Sequence, residues 1–291
     1  MEKSQTKYKD TVFRFLFSDP VHALSLYNAI NGTNYQDPSL LTFNTLENAI
    51  YMNIKNDLSF LLANQVNVYE QQSTPSANMP LRDLFYIADL FQKQFLNKSI
   101  YSSKRVKIPT PRFVVFYNGI ATQPEYIQLK LSDSFDVGQS TTQGIPALEL
   151  KVDVYNINKG MNEELKEKCP ILKEYAEYIG TVRNYTKTMD ISSAVEKAVD
   201  DCIRENILKE FLLKQKAEVT KMSIYDFDME QEMKLLRQDE REIGREEGRE
   251  EGREEGVLSI IRKLIQKGMD ETQIISLIDC TEAEYAKASM D

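Results

Sequence analysis

Asp57-Leu-Ser-Phe-Leu-Leu-Ala-Asn-Gln-Val-Asn-Val-Tyr-Glu70-Gln-Gln72 reads as a β-hairpin, and its register decides the fold. Side chains alternate across a strand, so Asp57, Ser59 and Leu61 share one face while Leu58, Phe60 and Leu62 share the other. A turn at Ala63-Asn64 pairs Leu62 with Gln65. That register carries Asp57 opposite Glu70, with Gln72 pointing the same way. Two carboxylates held opposite each other repel across the ladder unless a cation lies between them, so the hairpin predicts a metal site.

Upstream of the hairpin, near-helical spacing of Val12, Phe13, Leu16, Phe17, Leu24, Leu26, Tyr27 and Ile30 predicts one helix over residues 10–30. Asp10 is its expected N-cap and Asn31-Gly32 its stop. A first strand is expected from Leu41 to Tyr51, ahead of the hairpin. Pro75 and Pro80 bracket a loop that delivers a helix from Leu81 to Phe95. Arg112-Phe-Val-Val-Phe-Tyr117, a continuous apolar run closed by Asn118-Gly119, has the pattern of a buried central strand. Two more strand-like runs follow, at Tyr126 to Leu131 and Ala147 to Ile157. After Gly160 the pattern is helical, with breaks expected at Gly180, Asp190 and Thr220-Lys221. The order is helix, three strands, helix, strand, in an α/β chain with an α-helical C-terminal half.

Residues 241–256 hold a four-residue repeat in which Arg-Glu-Glu-Gly recurs three times after Gly244. On a helix it offers Glu-to-Arg pairs only three apart, Glu246 with Arg249 and Glu250 with Arg253, while positions four apart carry identical residues. Its glycines each cost about 1 kcal/mol relative to alanine, so the expectation is an exposed, frayable helical connector. A helix pairing along its glycine stripe, making a homo-oligomer through the C-terminal helices, is the alternative. Beyond it, Val257 to Lys267 is amphipathic and Gly268 caps it. Asp270 with Gln273 and Thr281 with Glu284 form capping-box patterns. The expected organisation is a core over 1–160, a helical extension over 161–240, the connector over 241–256 and a small helical tail over 257–291.

Composition narrows the chemistry. The net charge of −9 excludes a chain coated with positive charge but leaves room for a local basic groove. Cys169, Cys202 and Cys280 are widely spaced and lack metal-ligand or disulfide patterning, which fits a reducing cytoplasm. No apolar run approaches membrane-spanning length, so a soluble, unexported protein is expected. His22 is the one histidine, on an amphipathic stretch where packing explains it; poly-histidine metal sites and two-histidine nuclease motifs cannot be assembled. A carboxylate site for a hard cation remains.

Five ordered segments carry a resemblance: Lys9-Asp10-Thr-Val-Phe-Arg-Phe-Leu-Phe, Asn56-Asp57-Leu, Tyr69-Glu70-Gln71-Gln72-Ser73, Met79-Pro-Leu-Arg82-Asp-Leu-Phe-Tyr86 and Pro111-Arg-Phe-Val-Val-Phe-Tyr117-Asn-Gly119. Together they resemble the Rpn family of recombination-promoting nucleases and transposase-like proteins, within the PD-(D/E)xK nuclease superfamily, over about residues 7 to 160. The late repeats and short helical tail are also similar to that family. The resemblance implies a restriction-endonuclease-like core, an αβββαβ mixed sheet, and a Mg2+-dependent (alternatively Mn2+-dependent) DNA endonuclease linked to recombination or mobile elements in a bacterial, nucleoid-associated setting. Asp57 takes the place of the motif aspartate, Glu70 the second acid and Gln72 the motif lysine. Two departures stand out: Asn56 replaces the usual proline, and Gln72 lacks the fixed charge that lysine places near a scissile phosphate. Glu47 is the expected additional acid, with Asp10 a lesser one.

DNA also demands positive charge. Residues 90–124 contain Lys93, Lys98, Lys104, Arg105, Lys107 and Arg112 and no acid, which makes this run the expected phosphate-contacting patch beside the site, with Arg82 as a further contact. The alternative reading is a nuclease-derived DNA-binding or interaction module that no longer cuts.

Overall fold

A computed structural model describes residues 12–43, 57–95, 100–101, 103–135, 146–278 and 282–289. Its elements, in chain order, are α1 (Val12–Phe17), α2 (Pro20–Asn31), β1 (Thr42–Phe43), β2 (Leu58–Leu62), β3 (Gln65–Gln72), α3 (Met79–Phe95), β4 (Thr110–Tyr117), β5 (Tyr126–Lys130), β6 (Lys151–Asn156), α4 (Glu163–Lys168), α5 (Pro170–Tyr185), α6 (Ile191–Arg204), α7 (Lys209–Gln266), α8 (Glu271–Ile278) and α9 (Glu282–Ser289). The chain divides into two compact units, Met1–Glu230 and Gln231–Asp291.

The six strands form one mixed sheet in the order β1-β2-β3-β4-β6-β5. The hairpin sets its register: Ala63 and Asn64 have φ of 50° and 60°, the left-handed pair a two-residue turn needs, and Leu62 pairs with Gln65. β4 then runs parallel to β3, with Gln65 opposite Thr110 and Gln72 opposite Tyr117. β6 is parallel to β4 and β5 antiparallel to β6.

Period-two alternation divides the sheet between two cores. Leu58, Phe60, Leu62, Tyr69, Val114 and Phe116 pack against α1, α2, α5, α6 and the start of α7. Val66, Val68, Phe113, Val115 and Val152 pack against Met79, Tyr86, Ile87 and Leu90 of α3 on the other face. Helices therefore cover both faces, as a sheet with parallel central strands requires. The residues expected to form a separate helical extension share the first of these cores: Leu172, Val195, Leu212 and Phe227 all belong to it.

Several local expectations change. The helix expected over 10–30 is two helices, because Asp19 accepts a hydrogen bond from Val21 N and caps a second helix that begins at Pro20. Asp10, and the strand residues from 44 to 51, lie outside the described residues; Thr42–Phe43 is the described part of that strand. Gly180 sits inside α5 and Thr220-Lys221 inside α7, so neither breaks a helix. The break falls instead at Asn206 and Leu208, both with positive φ, and α7 carries a non-helical residue at Gln215. A break does fall at Asp190, as expected, and its side chain caps α6 by accepting from Ser193 N. The Arg-Glu-Glu-Gly repeat is helical within α7.

In the second unit Leu258, Ile261, Ile274 and Ala288 form a small apolar core. The Asp270–Gln273 capping box is formed, each backbone N–H donating to the other residue's side chain. Thr281 lies outside the described residues.

Candidate active site

The β2–β3 register runs from Leu62 opposite Gln65 to Leu58 opposite Tyr69, so Asp57 falls next in line, opposite Glu70. Glu70 and Gln72 share the face of Val66 and Val68, which α3 covers. The carboxyl of Asp57 accepts a hydrogen bond of 2.8 Å from Gln71 N, which fixes it at the mouth of the hairpin.

α3 closes the site from above. Arg82 Nη2 lies 2.8 Å from Glu70 Oε1, a half-exposed guanidinium on a largely buried carboxylate. Gln72 Nε2 donates to the same Glu70 oxygen at 3.2 Å and also lies 2.7 Å from Met79 Sδ. Asp83, one residue beyond Arg82, is 4% exposed. It sits in the apolar stripe of α3 with Met79, Tyr86, Ile87 and Leu90, at helical spacing.

The charges are finely opposed. Burial pushes the Asp57 carboxyl up and the Glu70 carboxylate pushes it further; the Gln71 N–H, Arg14 and Arg82 pull it back. Burial also raises Glu70, against Arg82 and the Gln72 amide. Asp83 is pushed up to about 8, by burial first and Glu70 second. Burial thus disfavours the ionised form of each of the three acids, and Glu70 adds to that effect on both Asp57 and Asp83. Among the described residues no group of three or more His, Cys, Asp or Glu side chains gathers as a metal cage.

Two partly buried carboxylates on one face still suit a hard cation of the Mg2+ kind. Such an ion keeps several waters and is held by one or two protein carboxylates plus substrate oxygens rather than by an all-protein cage. The donor set of Asp57 and Glu70 therefore fits it.

The other anticipated residues are placed differently. Glu47 and Lys98 lie outside the described residues. Lys104, Arg105 and Lys107 are exposed, but they lead into Thr110, whose N–H bonds to Asn64 O at the hairpin turn. With β3 and β4 parallel, that is the opposite end of the strands from Gln72, roughly 23 Å away along seven residues of strand. The expected basic patch is therefore not beside the carboxylates. Arg112 is engaged by Asn31 Oδ1 at 2.7 Å and Asp153 at 3.7 Å, and Lys93 pairs with Asp89. His22 is partly buried with Nδ1 2.9 Å from Leu16 O, a packing role. Two contributors were not anticipated. Arg14, on α1, acts on Asp57 through charge. Asp83 was legible in principle, as an acid in the middle of an apolar helical stripe.

Searches against family models, curated proteins and solved structures return no match to this chain.

Proposed function

We propose that this chain is a Mg2+-dependent DNA endonuclease of the Rpn type, built on a restriction-endonuclease-like αβββαβ core and working on DNA in recombination or mobile-element turnover. The observation that carries this reading is the opposition of Asp57 and Glu70, two partly buried carboxyl groups on one face of a hairpin, with Arg82 and Gln72 against the second. Sheets avoid such opposition where nothing positive lies between.

Asp57 and Glu70 would hold the divalent ion, which when bound supplies a Lewis acid and a water of lowered pKa. Glu70 is kept ionisable by Arg82. That guanidinium is half-exposed, so it is also available to a phosphate oxygen, the bidentate role to which arginine is suited. Gln72 orients a water through its amide, without the charge a lysine would add. Cleavage needs no covalent enzyme intermediate.

Nicking of supercoiled plasmid in Mg2+ tests the reading. Wild type should nick and Asp57→Asn should not, with unchanged circular dichroism. Absence of cleavage in both Mg2+ and Mn2+, or equal cleavage by the variant, would refute it. One observation favours the second reading, a non-cutting DNA-binding module: the Gln72 amide is already taken by Glu70 and Met79. That reading predicts metal-independent DNA binding with no nicking.

A further inference from the structure

β5 is the edge strand of the sheet, and its outer row is built pair by pair against β6 on the face opposite Asp57 and Glu70. Tyr126 lies across from Tyr155, their rings 5.3 Å apart. Gln128 lies across from Asp153 and donates to it at 3.1 Å. Lys130 lies across from Lys151. Next, Ser132 Oγ donates to Glu149 at 2.7 Å. Tyr126 is 46% exposed, and Gln128, Lys130 and Lys151 are exposed as well.

The lysine pair is the telling feature. Like charges directly opposite on an antiparallel ladder destabilise it, as do opposed carboxylates. Three of the neighbouring acids are engaged elsewhere: Asp153 by Tyr126, Gln128 and Arg112, Glu149 by Ser132 and Leu150 N, and Glu125 by Asn162. No acid pairs with either lysine among the described residues. From Tyr126 to Lys130 the strip runs about 13 Å, an aromatic platform at one end and two cations at the other. Base stacking on an aromatic ring joined to backbone neutralisation by lysine is how single strands are held without sequence readout.

We propose that this row is a binding strip for single-stranded DNA, separate from the cleavage site: a base stacks on Tyr126 and the following phosphates sit between Lys130 and Lys151. A duplex keeps its bases stacked inside and cannot offer a face to Tyr126. The choice of DNA over RNA rests on the proposed function; the strip itself does not.

The test is fluorescence anisotropy of a labelled oligothymidylate of about twelve nucleotides with the full chain in EDTA, where cleavage cannot contribute. Tyr126→Ala should weaken binding about tenfold and Tyr126→Phe, which keeps the ring, should not. Lys130→Gln with Lys151→Gln should weaken it and flatten its salt dependence. Binding is read without a divalent ion, so its outcome does not depend on whether the chain nicks plasmid, which separates this claim from the nuclease reading. The proposal is overturned if wild type fails to bind, if the Tyr126→Ala and double lysine variants bind as wild type, if oligouridylate or duplex is preferred, or if polyglutamate binds the lysine pair and oligothymidylate does not.

Discussion

Replacing Asp83 by asparagine should make the protein more stable, and by an amount that grows with pH. Burial first and the Glu70 charge second push the pKa of this α3 carboxyl up to about 8 from an ordinary 3.8. The folded state therefore holds a proton that the unfolded state releases. Stability from this group is complete below the unfolded value and drains away as pH rises, until the folded group also ionises near 8. Between those limits the slope is about 1.4 kcal/mol per pH unit. At pH 7 the ionisation penalty escaped by asparagine reaches about 4 kcal/mol as an upper bound, offset by about 1–3 kcal/mol for burying an amide without a partner. The net gain is then about 2 kcal/mol at pH 7 and near zero at pH 5. Urea denaturation at a series of pH values reads it, followed by near-ultraviolet circular dichroism of the tyrosines; the chain has no tryptophan. A stability difference that stays flat from pH 5 to 8 would refute the reasoning.

Four other substitutions follow from the same structure. Gly119→Ala would drive a methyl into the backbone carbonyl of Ser73, immediately after Gln72, so urea titration should show a loss of about 1–3 kcal/mol. Ala63→Gly relieves a left-handed alanine in the hairpin turn and should raise stability by about 0.5–1 kcal/mol, a gain visible as a higher urea midpoint. Phe116→Ala empties a fully buried position whose ring packs tilted against Phe13 and edge-to-face with Tyr69, and should cost about 3–5 kcal/mol in the same assay. Arg82→Gln removes the charge that lowers Glu70, so Mn2+ affinity at pH 7 should fall more than at pH 9, measured by titration calorimetry.

The hairpin was legible because its two controls are local: a two-residue turn fixes the register, and the period-two pattern fixes the faces. Asp57 and Glu70 therefore came out of the sequence as a pair. Asp19-Pro20 was equally local, an N-cap followed by a proline at the first helical position, and the helical spacing on either side masked it. The basic run before β4 was a different matter. Its distance from the carboxylates depends on β4 lying parallel to β3, and strand direction is a long-range property that no stretch of 90–124 encodes. The same holds for Arg82, whose partner Glu70 stands twelve positions earlier and is met only when α3 folds over the sheet. Gly180 failed as a break because α5 packs its apolar stripe, Leu172, Tyr175, Ile179 and Val182, into the core, and that burial outweighs about 1 kcal/mol of helix propensity.

Whether Asp57 and Glu70 share one divalent ion is settled most directly by calorimetric titration of Mn2+ into the full chain, in buffers of differing ionisation enthalpy at pH 7. One ion per chain is expected, with protons released on binding because both carboxyls resist ionising when empty of a cation, and with loss of the signal in Asp57→Asn and in Glu70→Gln. Binding that survives both substitutions, or no binding by wild type, would contradict it.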